Sequence, residues 1–314
     1  MQPMLATLTA DYFSSDEWMY EHKFDGVRCL AFKKNGIVHL KSRNDNSMDD
    51  AYPELVQALE KQKADNFIID GEVVARNKKG ISDFELLQGR MNLKKLHKIS
   101  QQEKSVPIYY CIFDVLYLNG YEVTPLPLYL RKQLLKELLS YSTTLIYSNN
   151  LQGDGVALLK KACKLHWEGL IVKKINSEYV GARSPQWLKF KCSVGQELVI
   201  GGYTHPKGLR SYFGALLVGY FNQGNFIYAG KVGTGFSYET LDMLGKKLQK
   251  IVTKKYPFYQ YDGQKNDVSW VKPILVAEFE FAQWTRAGKL RVGRYKGLRS
   301  DKKAKDVVRE MPKN

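Results

Sequence analysis

The sequence has no segment apolar enough to span a membrane as a helix. Hydrophobic residues make up 44% of the chain, but none of their runs approaches the roughly 18 residues that a bilayer requires. The first 22 residues also carry Asp11, Asp16, Glu17 and Glu21, which is atypical of a secretory leader or a transit peptide. These absences predict a soluble, cytoplasmic protein.

Cysteine is scarce, with four residues in a chain of 314. Cys29, Cys111, Cys163 and Cys192 are scattered through apolar segments and lack the paired spacing of a zinc site. Disulfides rarely persist in the cytosol. We therefore predict four reduced thiols in the core.

Acidic residues are outnumbered by basic ones, with 32 Asp plus Glu against 48 Lys plus Arg and a formal net charge of +16. This balance favours a polyanionic partner whose binding weakens with salt. Composition alone does not separate nucleic acid from a membrane surface or from an ordinary basic enzyme, so the motifs have to decide.

The chain is longer than the size at which a single core usually stops growing, which predicts two domains. Residues 1–192 alternate strand-like runs with amphipathic helices and predict an α+β domain with a substantial sheet. Residues 193–314 have short strands separated by glycine, with one helix over about 238–252, and predict an oligonucleotide-binding (OB) β-barrel. The predicted strands are 27–32, 67–75, 108–116, 170–173 and 187–191, then 198–203, 215–221, 226–232 and 275–284. A short surface helix is expected after Lys302.

The hexapeptide 23–28 reads Lys-Phe-Asp-Gly-Val-Arg. A lysine is nucleophilic only as the neutral amine, whereas its ordinary pKa of about 10.4 keeps it protonated near pH 7. We therefore expect burial and the cations Arg28, Lys189 and Lys191 to lower the pKa of Lys23. Gly26 is expected to let the backbone approach a ligand closely.

Five further motifs follow the hexapeptide, and six matches in one order are hard to reach by chance. They are Asp70-Gly71-Glu72, Phe113-Asp114, Glu168-Gly169, Lys189-Phe190-Lys191 and Arg299-Ser300-Asp301-Lys302. Together they resemble the covalent nucleotidyltransferases, the family of ATP-dependent DNA ligases, RNA ligases and mRNA capping guanylyltransferases. Other segments resemble the ligase domain of bacterial end-joining DNA ligases of the LigD type, namely Met4-Leu5-Ala6, Trp270-Val271-Lys272-Pro273, Trp284-Thr285-Arg286 and 295–302.

The resemblance implies an N-terminal adenylation (nucleotidyltransferase) domain in which Lys23 attacks ATP to form lysyl-AMP. The implied nucleotide contacts are Glu21 and the His22 backbone at the adenine edge, Arg28 and Glu72 at the ribose, Phe113 stacked on the purine, Lys189 and Lys191 at the α-phosphate, and Arg43 at the nucleotide and later the DNA 5′-phosphate.

The resemblance also implies a metal and a moving barrel. Glu168 and Glu72 would position Mg²⁺, or Mn²⁺ in its place. Arg299, Asp301 and Lys302 would reach the pyrophosphate when the barrel closes, with residues 193–196 as the hinge.

The implied partner is nicked or broken duplex DNA, with a Ku-type end-binding protein as a candidate recruiter. The resemblance suggests a monomer that repairs or joins DNA at the bacterial nucleoid. Candidate DNA-contacting residues are Lys33, Lys34, Lys78, Lys79, Lys94, Lys95, Lys207 and Arg210. RNA ligases and capping guanylyltransferases share several motifs and are the main alternative. A nucleic-acid-binding protein that has lost its chemistry is the other.

Overall fold

The computed structural model describes residues 1–91, 106–192, 194–206, 211–263, 267–281 and 283–310. Two compact units meet in sequence between Cys192 and Ser193. Four of the candidate DNA-contacting residues, Lys94, Lys95, Lys207 and Arg210, lie outside the described residues. No helix in the described ranges is long and apolar enough to cross a membrane.

The first unit contains two β-sheets. Strands β1 (Leu5–Leu8), β2 (Trp18–His22), β9 (Gly169–Lys174) and β10 (Arg183–Lys191) form a four-stranded sheet in the order β1-β10-β9-β2. Strands β3 (Val27–Lys34), β4 (Ile37–Ser42), β5 (Phe67–Ala75), β6 (Ile108–Leu118), β7 (Tyr121–Glu122) and β8 (Leu145–Tyr147) form the other. Its order is β4-β3-β5-β6-β7, and β8 runs parallel to β6.

Four helices belong to the described part of this unit: α1 (Pro53–Glu60), α2 (Phe84–Met91), α3 (Leu128–Leu138) and α4 (Gly155–Lys164). Proline at its start suits α1, because the first helical N–H needs no partner there. Asp154 caps α4 by accepting a hydrogen bond from the Ala157 N–H at 2.7 Å. The apolar faces predicted from the sequence are buried, with Leu55 and Leu135 in the larger core and Ala162 against the four-stranded sheet.

Side chains along β3 alternate between the two faces of its sheet. In β3, Cys29 and Ala31 face the larger core, whereas Leu30 joins a small cluster with Trp187 of β10. Because side chains alternate along a strand, Arg28 lies on the same face as Leu30. Phe113 of β6 packs against this small cluster, so Arg28 and Phe113 of the larger sheet face Trp187 of β10.

The second unit is a five-stranded antiparallel sheet of β11 (Val194–Thr204), β12 (Leu216–Asn222), β13 (Asn225–Val232), β14 (Val268–Phe281) and β17 (Arg294–Leu298). The order is β13-β12-β11-β14-β17. A parallel bridge from Thr234, just after β13, to Arg294 of β17 joins the two ends. Helix α5 (Tyr238–Gln249) lies between β13 and β14 in sequence, and β15 (Gln283–Trp284) pairs with β16 (Leu290–Arg291). This is the OB topology, and the predicted fold class is confirmed.

Cys163 and Cys192 form a disulfide, with their Cα atoms 5.2 Å apart. The prediction of four reduced thiols is therefore wrong for this pair. The end of α4 and the end of β10 come together because α4 packs on the sheet that contains β10, and no motif signals that contact. Cys29 and Cys111 are buried free thiols, as predicted, and burial raises the pKa of Cys111 to about 12.

Two smaller expectations also differ from the structure. Strand β11 begins at Val194 and pairs Gln196 with Phe279, so the described residues of the predicted hinge, 194–196, form the start of a strand. Between Lys302 and Glu310, the last residue that the structure describes, the expected helix is a single 3₁₀ turn, Ala304–Asp306.

Candidate active site

Lys23 and Glu168 form an ion pair at one end of the four-stranded sheet. The Lys23 N–H donates to the Gly169 carbonyl at 3.0 Å, and Lys191 is paired opposite Gly169 across β9 and β10. The Lys191 Nζ lies 3.9 Å from the Glu168 carboxylate. The sheet therefore gathers three motifs that are far apart in sequence into one cluster.

This cluster raises the pKa of Lys23. Burial lowers that pKa, but the charge of Glu168 and its hydrogen bond outweigh burial and hold the pKa above the ordinary value. Burial likewise raises the pKa of Glu168, and Lys23, Lys191 and Lys189 outweigh it and lower that pKa. The expected lowering of the Lys23 pKa is wrong, because the nearest charge is the Glu168 carboxylate.

Two motif glycines are required by close strand contacts. A Cβ at Gly26 would lie 2.3 Å from the Val73 carbonyl oxygen, and one at Gly169 would lie 2.0 Å from that of Phe190. Gly26 was expected to make room for a ligand, but the neighbour that it accommodates is β5. Both glycines allow the close strand contacts that lie next to Lys23 and Glu168 in sequence.

Arg28 binds Asp70 through two hydrogen bonds, from Nε and from Nη2, each 2.5 Å long. Asp70 is fully buried and also accepts a hydrogen bond of 2.6 Å from the Tyr179 hydroxyl. Glu72 lies directly opposite Arg28 in the pairing of β3 with β5. The predicted ribose-binding pair is therefore adjacent, while the guanidinium itself is engaged by Asp70.

The ring of Phe113 lies close to two cationic side chains and to Trp187. The Arg28 guanidinium carbon lies 4.7 Å from its centroid, and the Lys173 Nζ lies 4.3 Å from it. Trp187 meets the ring edge-on at 6.1 Å. Asp114, the next motif residue, points elsewhere and forms a buried pair with Arg131, with contacts of 2.8 and 3.0 Å.

Glu21 is buried and carries two cationic partners. Its Oε1 lies 2.9 Å from the Lys132 Nζ, and its Oε2 accepts from the Lys173 Nζ and the Ser148 hydroxyl, both at 3.0 Å. Burial raises the pKa of Glu21, but Lys132 and Lys173 outweigh it and lower the pKa. Burial lowers the pKa of Lys173 to about 8, against the opposing charge of Glu21.

His22 is stacked on Trp167, with ring centroids 3.8 Å apart and an interplanar angle of 13°. Phe24 packs on the same imidazole at 4.3 Å. Burial, aided by the charge of Arg76, lowers the pKa of His22 to about 4. The stack joins β2 to the residue that precedes Glu168.

Lys189 and Arg43 are the two remaining predicted nucleotide contacts. Lys189 lies opposite Ile171 in the pairing of β10 with β9, on the strand face that also carries Lys191. Arg43 is half-buried in the turn that follows β4.

The barrel motif forms its own ion pairs within the second unit. Arg299 makes two contacts of 2.9 Å with Asp301 and lies 3.8 Å from Glu278. The Lys302 Nζ lies 2.9 Å from Glu197. Burial raises the pKa of Asp301, and Arg299 outweighs it and lowers that pKa.

Residues 3–191 match the protein family described as "ATP dependent DNA ligase domain", and residues 209–302 match "ATP dependent DNA ligase C terminal region". The first match covers more than half of the chain. The chain belongs to the ATP-dependent DNA ligase family.

Similar proteins place this ligase near LigD. It is 35% identical over 303 residues to the "Multifunctional non-homologous end joining protein LigD" of Pseudomonas aeruginosa, covering 94% of the chain and 35% of that relative. It is 35% identical to the LigD of Mycobacterium tuberculosis, covering 99% of the chain and 40% of that relative. The chain therefore spans well under half the length of these curated relatives.

A solved structure supports the same assignment. The ligase is 32% identical to a mycobacterial DNA ligase D complexed with ATP and MES, with a TM-score of 0.68 and coverage of 99% of this chain and 98% of that chain. The predicted family is thus confirmed, and the RNA ligase and capping alternatives are not favoured.

Sequence reasoning missed several residues that shape the site: Asp70, Lys132, Lys173, Tyr179 and Trp187. Asp70 stood within a quoted motif, but its partners could not be read from the sequence. Lys132 and Lys173 carried a usable signal, because each is a lysine at a position where an amphipathic helix or an apolar strand otherwise places buried residues.

Proposed function

We propose that this ligase seals nicks or breaks in duplex DNA through a covalent lysyl-AMP at Lys23. The observation that carries the proposal is the cluster of Lys23, Glu168 and Lys191 in a chain of the ATP-dependent DNA ligase family. Residues 1–192 would act as the adenylation domain and residues 193–314 as the OB domain.

In the first step, Lys23 Nζ attacks the α-phosphorus of ATP, and the bond to pyrophosphate breaks. The amine must first lose a proton, which the Glu168 carboxylate opposes while it remains paired with the ammonium. The proton would pass to solvent once Glu168 is drawn away from Lys23, because loss of that contact lowers the lysine pKa. Charge neutralisation and positioning are the main contributions that a protein makes to such transfers.

In the second and third steps, the AMP moves to a DNA 5′-phosphate and the 3′-hydroxyl then displaces it. Arg43 is the proposed contact of the DNA 5′-phosphate, and Arg28 is the proposed contact of the ribose. Arg28 needs no proton transfer for this role, since its guanidinium stays charged at any relevant pH.

A divalent ion fits the carboxylates that the site offers. In the described part of the chain no three His, Cys, Asp or Glu side chains form a metal cluster, but Mg²⁺ commonly uses one or two carboxylates together with phosphate oxygens and water. Glu168 and Glu72 would hold it when ATP is present. Bound there, it would neutralise phosphate charge.

The wider role is proposed from the relatives. Their names tie them to non-homologous end joining, so double-strand breaks are the proposed natural lesions, a Ku-type end-binding protein the proposed recruiter, and the bacterial cytoplasm the proposed compartment. We propose that the ligase acts as a monomer, because one molecule carries both domains that the reaction needs.

An adduct-and-chase experiment tests the reaction. Protein freed of AMP with pyrophosphate is incubated with Mg²⁺ and α-labelled ATP, GTP or NAD⁺ and then chased with nicked DNA or nicked RNA. We expect an adduct with ATP alone, lost to nicked DNA as sealed product appears. Lys23→Ala should form no adduct and still bind nicked DNA.

The other outcomes identify the alternatives. An adduct with GTP would indicate a capping enzyme, and sealing of RNA alone would indicate an RNA ligase. Absence of any adduct would indicate a binding protein, and an acid-labile AMP adduct on Lys23→Ala would overturn the nucleophile.

A further inference from the structure

The Glu21 carboxylate links the two sheets of the first unit. Glu21 lies on β2 of the four-stranded sheet, whereas Ser148 follows β8 of the other sheet, and its hydroxyl donates to Glu21 at 3.0 Å. The Ser148 N–H in turn donates to the carbonyl of Ile112 at 2.8 Å. Ile112 precedes Phe113, so this chain of hydrogen bonds fixes the carboxylate relative to the proposed purine-stacking ring.

Lys132 of α3 holds the same carboxylate from the other side. Its Nζ lies 2.9 Å from Glu21 Oε1 and donates to the Ser148 carbonyl at 2.6 Å. The Lys132 side chain is only 5% exposed. A lysine so deeply buried is unusual unless it has a partner. The Lys132 ammonium contacts both the Glu21 carboxylate and the Ser148 carbonyl.

The contacts leave acceptor capacity on Glu21. An ionised carboxylate accepts hydrogen bonds and donates none, and each oxygen can accept two. Lys173 and Ser148 share Oε2, whereas Lys132 is the one near cation on Oε1 among the described residues. Oε1 is buried and accepts no hydrogen bond among the described residues, so it keeps capacity for a donor that reaches it.

We infer that Lys132 and Ser148 are positioning residues that keep the Glu21 carboxylate fixed as an acceptor and so select a purine with an amino group at C6. The inference rests on the proposed adenylation and on Glu21 as the residue at the adenine edge. An amino group donates to such a carboxylate, whereas the C6 carbonyl of inosine or guanine meets it with a second acceptor. A site built to bind one hydrogen-bonding group rejects the analogue that leaves its polar atoms unpaired.

Nucleotide discrimination by single-turnover adenylation tests the inference. The rate and half-saturation of Lys23 labelling are measured with α-labelled ATP and inosine triphosphate on full-length protein freed of AMP. The wild type should prefer ATP by about 100-fold or more. Lys132→Met should lower the preference for ATP over inosine triphosphate by at least about tenfold, chiefly by raising the ATP concentration that gives half-saturation.

Three comparisons separate positioning from folding. Lys132→Arg should restore most of the ratio, and Lys136→Met, an exposed lysine of the same helix, should leave it unchanged. Urea unfolding followed by tryptophan fluorescence checks that Lys132→Met is folded, with Lys136→Met as the reference. If Lys132→Met does not fold, Ser148→Ala takes its place and should narrow the ratio by about threefold or more.

The outcomes distinguish this inference from the proposed function. A wild-type ratio retained by Lys132→Met, or by Ser148→Ala in its place, would overturn the positioning roles while leaving the ligase assignment intact. A wild type that forms no adduct with ATP would overturn the proposed function itself.

Discussion

Lys23 donates to Glu168, so the proposed nucleophile is held as an ammonium by the residue proposed to hold the metal. Attack by this lysine therefore requires that it first be released from Glu168. An ammonium has no lone pair with which to attack phosphorus.

Replacing Glu168 should remove the charge that stabilises the Lys23 ammonium. In Glu168→Gln we expect the pKa of Lys23 to fall by about 1–3 units, because an opposite charge in contact with the ammonium is removed. The pKa is measurable by NMR titration of ¹³C-dimethylated lysines, with the Lys23 signal assigned from Lys23→Arg. The exposed Glu17→Gln is the matched control and should leave the titration unchanged. A Lys23 pKa that stayed constant in Glu168→Gln would contradict the account.

Removal of the Asp70 charge should destabilise the first unit. Asp70→Asn would leave the Arg28 guanidinium without its buried counter-charge, and loss of one partner of such a pair costs about 3–5 kcal/mol. Urea unfolding followed by tryptophan fluorescence measures the change. Asp65→Asn removes an exposed carboxylate from the segment before β5 and should stay within about 0.5 kcal/mol. Equal stability of the two variants would show that the buried pair contributes little.

The stacked His22 should make the first unit sensitive to acid. Its pKa is about 4 in the folded chain against an ordinary 6.5. Below about pH 6.5 the unfolded chain gains a proton that the folded chain does not bind, so stability falls as the pH drops towards 4. The loss reaches about 3 kcal/mol.

His22→Phe keeps a ring against Trp167 and should remove that part of the acid loss. The exposed His166→Asn is the control, since asparagine tolerates the left-handed backbone at that position (φ +58°). Unfolding curves at pH 4.5, 5.5 and 7 compare the variants. An acid loss in His22→Phe as steep as in the wild type would refute the linkage to this imidazole.

Lys302 should serve the first chemical step alone. Loss of one charged contact to the leaving pyrophosphate predicts that Lys302→Ala adenylates about 10²–10³-fold more slowly. Sealing of preadenylated nicked DNA should be unaffected, because no pyrophosphate leaves in that reaction. Lys303→Ala removes the neighbouring exposed lysine as a control. Slow sealing of the preadenylated substrate by Lys302→Ala would place this lysine in the later steps instead.

The disulfide predicts two free thiols rather than four. Titration of denatured, unreduced protein should count only Cys29 and Cys111, and peptide mapping should find Cys163 joined to Cys192. Reduction should destabilise the first unit by about 3–4 kcal/mol, given the separation of 29 residues between the cysteines. A Cys163→Ser/Cys192→Ser variant should not respond to reductant. Four titratable thiols would contradict the pairing.

The features that could be predicted from the sequence are those set by short segments of the chain. Strand 67–75 was predicted with the bounds that the structure shows, because two short apolar runs, 67–69 and 73–75, flank a recognisable motif. The OB barrel was predicted from glycine spacing and from one inserted helix.

What the sequence could not predict depends on contacts between distant segments. The direction of the Lys23 pKa shift is set by Glu168, which was assigned to a metal rather than to the lysine. Glu21 was assigned to the base, but its two lysines come from α3 and β9, which only the packing of the two sheets brings together. The engagement of Arg28 by Asp70 likewise depends on strand register.

The bond between Cys163 and Cys192 closes a covalent ring around β9 and β10. Glu168, Lys173, Lys189 and Lys191 all lie inside it. A single protease cut within this ring would leave its two fragments attached, so nicked protein would migrate as an intact chain until a reductant separated the pieces. Oxidised protein could therefore suffer backbone cleavage beside the lysines proposed to bind the nucleotide without losing either fragment to solution.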